Sequence, residues 1–369
     1  MSNPPIDPTV PALAAGPFVV LLAATWAAAA LMVAGAMRLG VIDHPGHRSS
    51  HTRPTPKGGG IGIVLAFVAA VPVARLLGGL PPLDGPVAGL LGATILLGGV
   101  SWLDDVHQWP PVLKLAAQFA AAILVVATGP YPHGVLSLIV GDVPGAVLGG
   151  VLSVLGLVYL TNAVNFMDGL NGLISGAVML ACLVLGGLML GGPMPGGPML
   201  GGPMLGGMGL GAMALILAAA LAGFLPFNFP VGRIFMGDVG SQSCGLLIGA
   251  FGLACAAGQP AGAAWSAVPL MLAGVLYDVT YTLVRRWRRG ARLMESHREH
   301  LYQLATTGGL SPVAVTLVQW GFVLWGGGIA LLVTRGRLAA VTAMGLVLLP
   351  QLGWTWLVRH RLRRAVPRA

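Results

Sequence analysis

Residues 144–190 read PGAVLGGVLSVLGLVYLTNAVNFMDGLNGLISGAVMLACLVLGGLML, and Asp168 is the one charged side chain in the stretch. It divides two apolar runs, 144–162 and 170–190, each of a length that crosses about 30 Å of hydrocarbon as a helix. The pattern is therefore helix, polar joint, helix in a membrane, and it extends outward over the whole chain. Of 369 residues, 56% are hydrophobic and 8% charged, with mean hydropathy +0.85. A soluble domain carries roughly 25% charged residues, so a soluble globular fold is excluded. Spans are predicted at 14–37, 59–79, 86–103, 112–129, 144–162, 170–190, 208–226, 240–258, 265–284, 311–333 and 338–358. The expectation is an all-α polytopic membrane protein of about 11 transmembrane helices, a single membrane domain over residues 1–369. The first run lacks a basic flank and is too long for a cleaved signal, so it is read as a retained helix.

Charge gives the topology. With the loops after odd-numbered spans and the C-terminal tail on one side, that side holds all 20 Lys and Arg except Arg75, Arg335 and Arg337. Basic residues accumulate on the cytoplasmic side, which puts the N-terminus outside and the C-terminus inside. The net charge of +9 is thus a topology signal, and nucleic-acid binding, which needs a clustered basic face on a water-facing domain, is excluded. The acids other than Asp7, Asp84 and Asp142, and the histidines other than His133, fall on the same side. Five inward loops holding most carboxylates and imidazoles read as parts of one polar site.

Residues 191–211 repeat GGPMP and GGPML units, a low-complexity Gly/Pro/Met outer loop. Without His or Cys beside its methionines, it is read as a linker and not a metal scoop. The outer segment PYPHGVLSLIVGD has an alternating run that suggests a hairpin on the membrane surface. Cys182, Cys244 and Cys255 lie in apolar runs and imply neither a disulfide framework nor a metal site.

The inward loops carry the chemistry. DHPGHRSSHTRPTPKGGG (43–60) combines His51 and other imidazoles with Lys57 and a Gly-rich helix mouth, suited to a phosphate or diphosphate. SWLDDVHQWPPVLKLAAQ (101–118) pairs Asp104 with Asp105, which repel unless a cation compensates. Lys114 and Gln118 share a face of the following helix. In YLTNAVNFMDGLNGL (159–173), Asn162, Asn165 and Asp168 recur every three residues on one helical face, suited to a polar ligand or a metal. FNFPVGRIFMGDVGSQSCG (227–245) sets Asn228 near a glycine-framed Asp238, whose carboxylate suits Mg²⁺ or Mn²⁺. In the last loop, SHREHLYQL (296–304), His297, Arg298 and His300 suit phosphate contact better than zinc. Asp278, inside the ninth span, is read as functional or paired with an Arg.

Taken in order, these five segments resemble the polyprenyl-phosphate N-acetylhexosamine-1-phosphate transferases, glycosyltransferase family 4, along almost the whole chain. With HREH and Asn171 in place of a triple histidine and a second Asp, the chain is more similar to the O-antigen-initiating branch than to the phospho-N-acetylmuramoyl-pentapeptide transferases. The resemblance implies transfer of a sugar 1-phosphate from a UDP-sugar such as UDP-N-acetylglucosamine to undecaprenyl phosphate, with Mg²⁺ and release of UMP. Asp104 and Asp105 are then the catalytic pair, and Asp168 lies in the nucleotide and metal region. Asp238 becomes the principal Mg²⁺ ligand, and His297, Arg298 and His300 bind phosphate. The expected setting is the bacterial inner membrane with the site facing the cytoplasm, UDP-sugar, lipid acceptor and bilayer as partners, and a homodimer left open. A transporter of lipid-linked or nucleotide-linked sugars is the alternative from another class, although no internal repeat supports it.

Overall fold

The computed structural model describes residues 15–39, 41–43, 54–190, 209–257, 266–292 and 297–365. Over these residues the chain is a helical bundle with one two-stranded sheet at one end. The long helices are α1 (Ala15–Leu39), α2 (Gly60–Leu77), α3 (Gly85–His107), α4 (Pro111–Thr128), α6 (Asp142–Met167), α7 (Leu173–Leu190), α8 (Leu210–Asn228), α9 (Gly237–Ala257), α13 (Pro312–Thr334) and α14 (Ala340–Ala365). Three short helices accompany them: α5 (Gly134–Val140), α10 (Ala267–Met271) and α12 (Leu301–Thr307), with α11 (Ala273–Arg288) completing the set. Nine helices among the described residues are long and apolar enough to cross a membrane, and α7 is a shorter apolar helix beside them. The protein is an all-α polytopic membrane protein.

The ninth predicted span, 265–284, is broken. It is α10 followed by α11, with Leu272 between them and Pro269 and Gly274 flanking the break. Gly274 loosens the backbone just past the break, so an uninterrupted helix is disfavoured there, whereas Pro269 sits in the first turn of α10, where its missing N–H costs no intrahelical bond. The hairpin expected at 130–143 does not form. Residues 134–140 are α5, whose backbone closes its own hydrogen bonds, Ser137 N–H donating to His133 and Gly141 N–H to Ser137. A short apolar run does not distinguish strand from helix by period, and a helix satisfies its backbone without a partner. The 191–208 part of the Gly/Pro/Met repeat lies outside the described residues.

At the centre stands α9, buried along most of its length and packed against α2, α3, α6, α7, α8 and α10. Glycines make this possible: a Cβ on Gly60 would meet Gly240 N at 2.2 Å, and one on Gly245 would meet the Thr161 Cα at 2.7 Å. Helices in lipid associate through such close backbone approach. Because α9 begins at Gly237, its tight packing fixes the position of Asp238 at the bundle end.

One feature had no sequence signal. β1 (Val41–Asp43) pairs antiparallel with β2 (Thr55–Lys57), Val41 opposite Lys57 and Asp43 opposite Thr55. Residue 235 joins β2 on its other side, Phe235 N–H donating to the Pro56 carbonyl. This small sheet ties the first and fourth inward loops together.

Candidate active site at one end of the bundle

Lys57, Asp105, Asn165, Asp168, Asn228, Asp238 and Arg298, from five segments distant in sequence, line a single cavity of about 550 Å³. The Gly58–Gly60 turn follows Lys57 but does not line the cavity, contrary to expectation. The Gly59 and Gly60 amides donate to the Phe235 and Met236 carbonyls at 2.9 Å each, so they lock loop to loop and are not left for an anion. Lys57, held by β2, extends to Asp105 Oδ1 at 3.0 Å. His51 lies outside the described residues.

The neighbouring aspartates divide the work. Asp104 is buried, does not line the cavity, and pairs with Lys114 Nζ at 2.5 Å. Asp105 faces the cavity, and its Oδ2 is buried without a hydrogen-bond partner. Lys114 also reaches Asp238 Oδ2 at 2.8 Å, so one ammonium bridges two carboxylates. Behind them runs an amide chain. Gln242 donates to Asp238 at 3.2 Å, Gln118 donates to Gln242 at 3.1 Å, and Gln118 and Asn162 exchange hydrogen bonds at 3.2 and 2.6 Å. Asn162 thus faces the bundle interior, holding the network behind Asp238, while Asn165 and Asp168 face the cavity.

Asp168 follows the last turn of α6, where burial and then the nearby Asp238 push its carboxyl well above the usual range. Asn228 spends both ends of its amide on backbone, accepting from Gly172 N–H at 2.6 Å and donating to the Ile234 carbonyl at 2.9 Å. It staples two loops at the cavity wall. Gly172 has φ +73° and packs so closely on Phe229 that a Cβ would sit 2.6 Å from the ring.

In the last loop Arg298 lines the cavity, whereas His300 is buried with Nδ1 3.1 Å from Asp278 Oδ1. The His297 ring lies 5.0 Å from that of His300. Burial, followed by His300 and Arg286, lowers its pKa to about 4, which leaves it neutral at pH 7. Neither imidazole is among the cavity-lining side chains. Burial works against ionisation of Glu299, yet Arg289, Arg285 and Arg286 hold its carboxylate below the usual range. Asp278 is not paired with an Arg in these contacts. It accepts from the amides of Leu301 and Tyr302.

Asp43, Asn171 and Gln303 line the same cavity and were not singled out by spacing. Asp43 had the signal of lying in the first polar loop. Gln303 had the signal of lying in the last inward loop, SHREHLYQL, beside Arg298. As for a metal, no three His, Cys, Asp or Glu among the described residues form a group that could hold an ion by themselves. Asp168 and Asp238 on the same cavity, beside the unpartnered Asp105 oxygen, nonetheless offer oxygen donors free of imidazole and thiolate. Such a set fits Mg²⁺, commonly held by one or two carboxylates together with substrate phosphates.

The family model described as glycosyl transferase family 4 matches residues 87–256. The decaprenyl-phosphate N-acetylglucosaminephosphotransferase of Mycolicibacterium smegmatis is 31% identical over 338 residues, 85% of this chain and 80% of that one. A probable undecaprenyl-phosphate N-acetylglucosaminyl 1-phosphate transferase of Bacillus subtilis is 28% identical over 78% of this chain and 76% of its own. The phospho-N-acetylmuramoyl-pentapeptide-transferase of Streptococcus thermophilus is 28% identical over 53% of this chain and 54% of its own. Shared across most of both chains and not only in its motifs, this likeness makes the protein a member of glycosyl transferase family 4, a phosphoglycosyltransferase.

Proposed function

We propose that the protein transfers N-acetylhexosamine 1-phosphate from a UDP-sugar, UDP-N-acetylglucosamine first among them, to undecaprenyl phosphate, releasing UMP. The product, a polyprenyl-diphosphate-linked sugar, begins a cell-surface glycan such as O-antigen. The observation that carries this reading is the convergence of Asp105, Asp168, Asp238, Lys57 and Arg298 on one cavity at the end of a membrane bundle, where a lipid phosphate and a soluble nucleotide can meet. The Lys and Arg bias supports a site facing the cytoplasm of the bacterial inner membrane.

Asp105 takes the proton of the lipid phosphate and aims its oxygen at the β-phosphorus of the donor. That P–O bond forms as the bond from the β-phosphorus to UMP breaks in line. Lys57 holds Asp105 from the side opposite its unpartnered oxygen. Arg298 contacts the diphosphate, and Asn165 with its neighbours binds the nucleotide. Asp238 and Asp168 would hold Mg²⁺, with Mn²⁺ able to substitute. When bound, the ion neutralises charge that develops on the departing UMP.

Purified protein given Mg²⁺, a UDP-N-acetylhexosamine and undecaprenyl phosphate is expected to release UMP only when both substrates are present. Asp105→Asn should lower kcat by about 10²–10⁴, the range for losing a positioned acid or base. Radiolabel held on the protein without acceptor lipid would replace direct attack with an aspartyl intermediate. Uptake into proteoliposomes without UMP release would refute the transferase reading.

A further inference from the structure

A buried latch reaches from the broken ninth span to the cavity wall. Asp278, on α11 and 2% exposed, accepts four hydrogen bonds: from Leu301 N–H at 2.9 Å, Tyr302 N–H at 3.0 Å, the His300 ring at 3.1 Å and Thr282 Oγ1 at 3.3 Å. Its carboxylate thereby fixes the first turn of α12. Tyr302, 1% exposed, carries the constraint onward by donating from its hydroxyl to the Phe166 carbonyl at 3.0 Å, in the last turn of α6. The fit beneath the next loop is close, since a Cβ on Gly169 would stand 2.1 Å from the Tyr302 oxygen. Asp168 lies between Phe166 and Gly169, so both backbone flanks of this cavity carboxylate rest on one tyrosine. Arg298, two residues before the His300 cap of α12, and Gln303, in its first turn, line the cavity.

We propose that Asp278 and Tyr302 are positioning residues for nucleotide-sugar binding: Asp278 anchors α12, and Tyr302 sets the backbone that presents Asp168. The inference rests on the transferase reading, in which Asp168 belongs to the donor half of the site. Neither residue lines the cavity, so neither needs to touch a substrate.

The test uses the full-length purified chain, with wild-type turnover established first. Failure of wild-type to release UMP from any UDP-N-acetylhexosamine would sink the functional reading and, with it, the latch. Given an active wild-type, Tyr302→Phe keeps the ring and removes only the hydroxyl. The expected result is a rise in KM for the UDP-sugar of about fivefold, the effect of one lost hydrogen bond. The KM for undecaprenyl phosphate and the melting temperature should hold. Gly169→Ala should impair donor binding further, and Tyr302→Phe introduced beside it should recover part of the loss by removing the colliding oxygen. An unchanged donor KM in Tyr302→Phe, or both KM values and the melting temperature moving together, would overturn the proposal. Independent effects of the two substitutions in a foldable double variant would also overturn it.

Discussion

Two adjacent carboxylates, Asp104 and Asp105, separate because a helix turns about 100° per residue. Asp104 points inward to Lys114, and Asp105 points to the cavity with one oxygen unpartnered. The doublet was legible as a costly pair in need of a cation, but which member faces the cavity was not, since that depends on how α3 is rotated against α9. The last-loop histidines read as phosphate contacts lie off the cavity lining. His300 is buried against Asp278, and His297 is held neutral by burial and by neighbouring cations. Lowering the folded-state pKa of His297 from 6.5 to about 4 means that, between those values, the unfolded chain binds more protons than the folded one. Stability therefore falls as pH drops through that window. Thermal melts from pH 7 to 4 should show a shallower acid loss in His297→Gln than in wild type. Glu299 adds a separate acid loss, because its lowered pKa comes from arginines that His297→Gln leaves in place.

At the scale of elements, ten of the eleven predicted spans correspond to single helices, because length and hydropathy decide a membrane helix with little help from tertiary context. The exceptions are local contests. Gly274 outweighs hydrophobicity in the ninth span, and α5 replaces a hairpin whose alternating run fitted either structure. The β1–β2 pair left no trace because its strands have three residues each and are joined through polar sequence. Interhelical glycines could be counted but not assigned to partners before the crossings were known. Gly60→Ala places a methyl against the backbone of Gly240, with no flexible side chain to yield. The expected cost is about 1–3 kcal/mol, read as a lower melting temperature, together with weaker turnover because α9 also carries Asp238. Unchanged melting would show that α2 and α9 separate freely.

Over the whole molecule, most acids and bases fall in the loops read as one side, and the cavity is built from residues of those loops, far apart in sequence. The sorting could be read from the chain, since insertion leaves a charge record in the loops. The convergence could only be anticipated, because no local rule brings residue 57 beside 105 or 114 beside 238. Orientation is open to direct measurement, since Cys182, Cys244 and Cys255 are all buried and free. Val231→Cys, exposed at the cavity mouth, should react with a membrane-impermeant thiol reagent only in inverted vesicles. Leu83→Cys, exposed at the opposite end, should react only from the outside. The reverse pattern would put the site on the wrong side for a cytoplasmic nucleotide.

The central claim, that these carboxylates form one transferase centre, is tested most directly by the mass of the lipid product. After incubation of the purified chain with undecaprenyl phosphate, Mg²⁺ and a panel of UDP-N-acetylhexosamines, the expected result is a lipid heavier by one N-acetylhexosamine 1-phosphate. It should form in step with UMP and be lost in Asp105→Asn. An unmodified lipid with every donor, or a product formed equally well by Asp105→Asn, would contradict it.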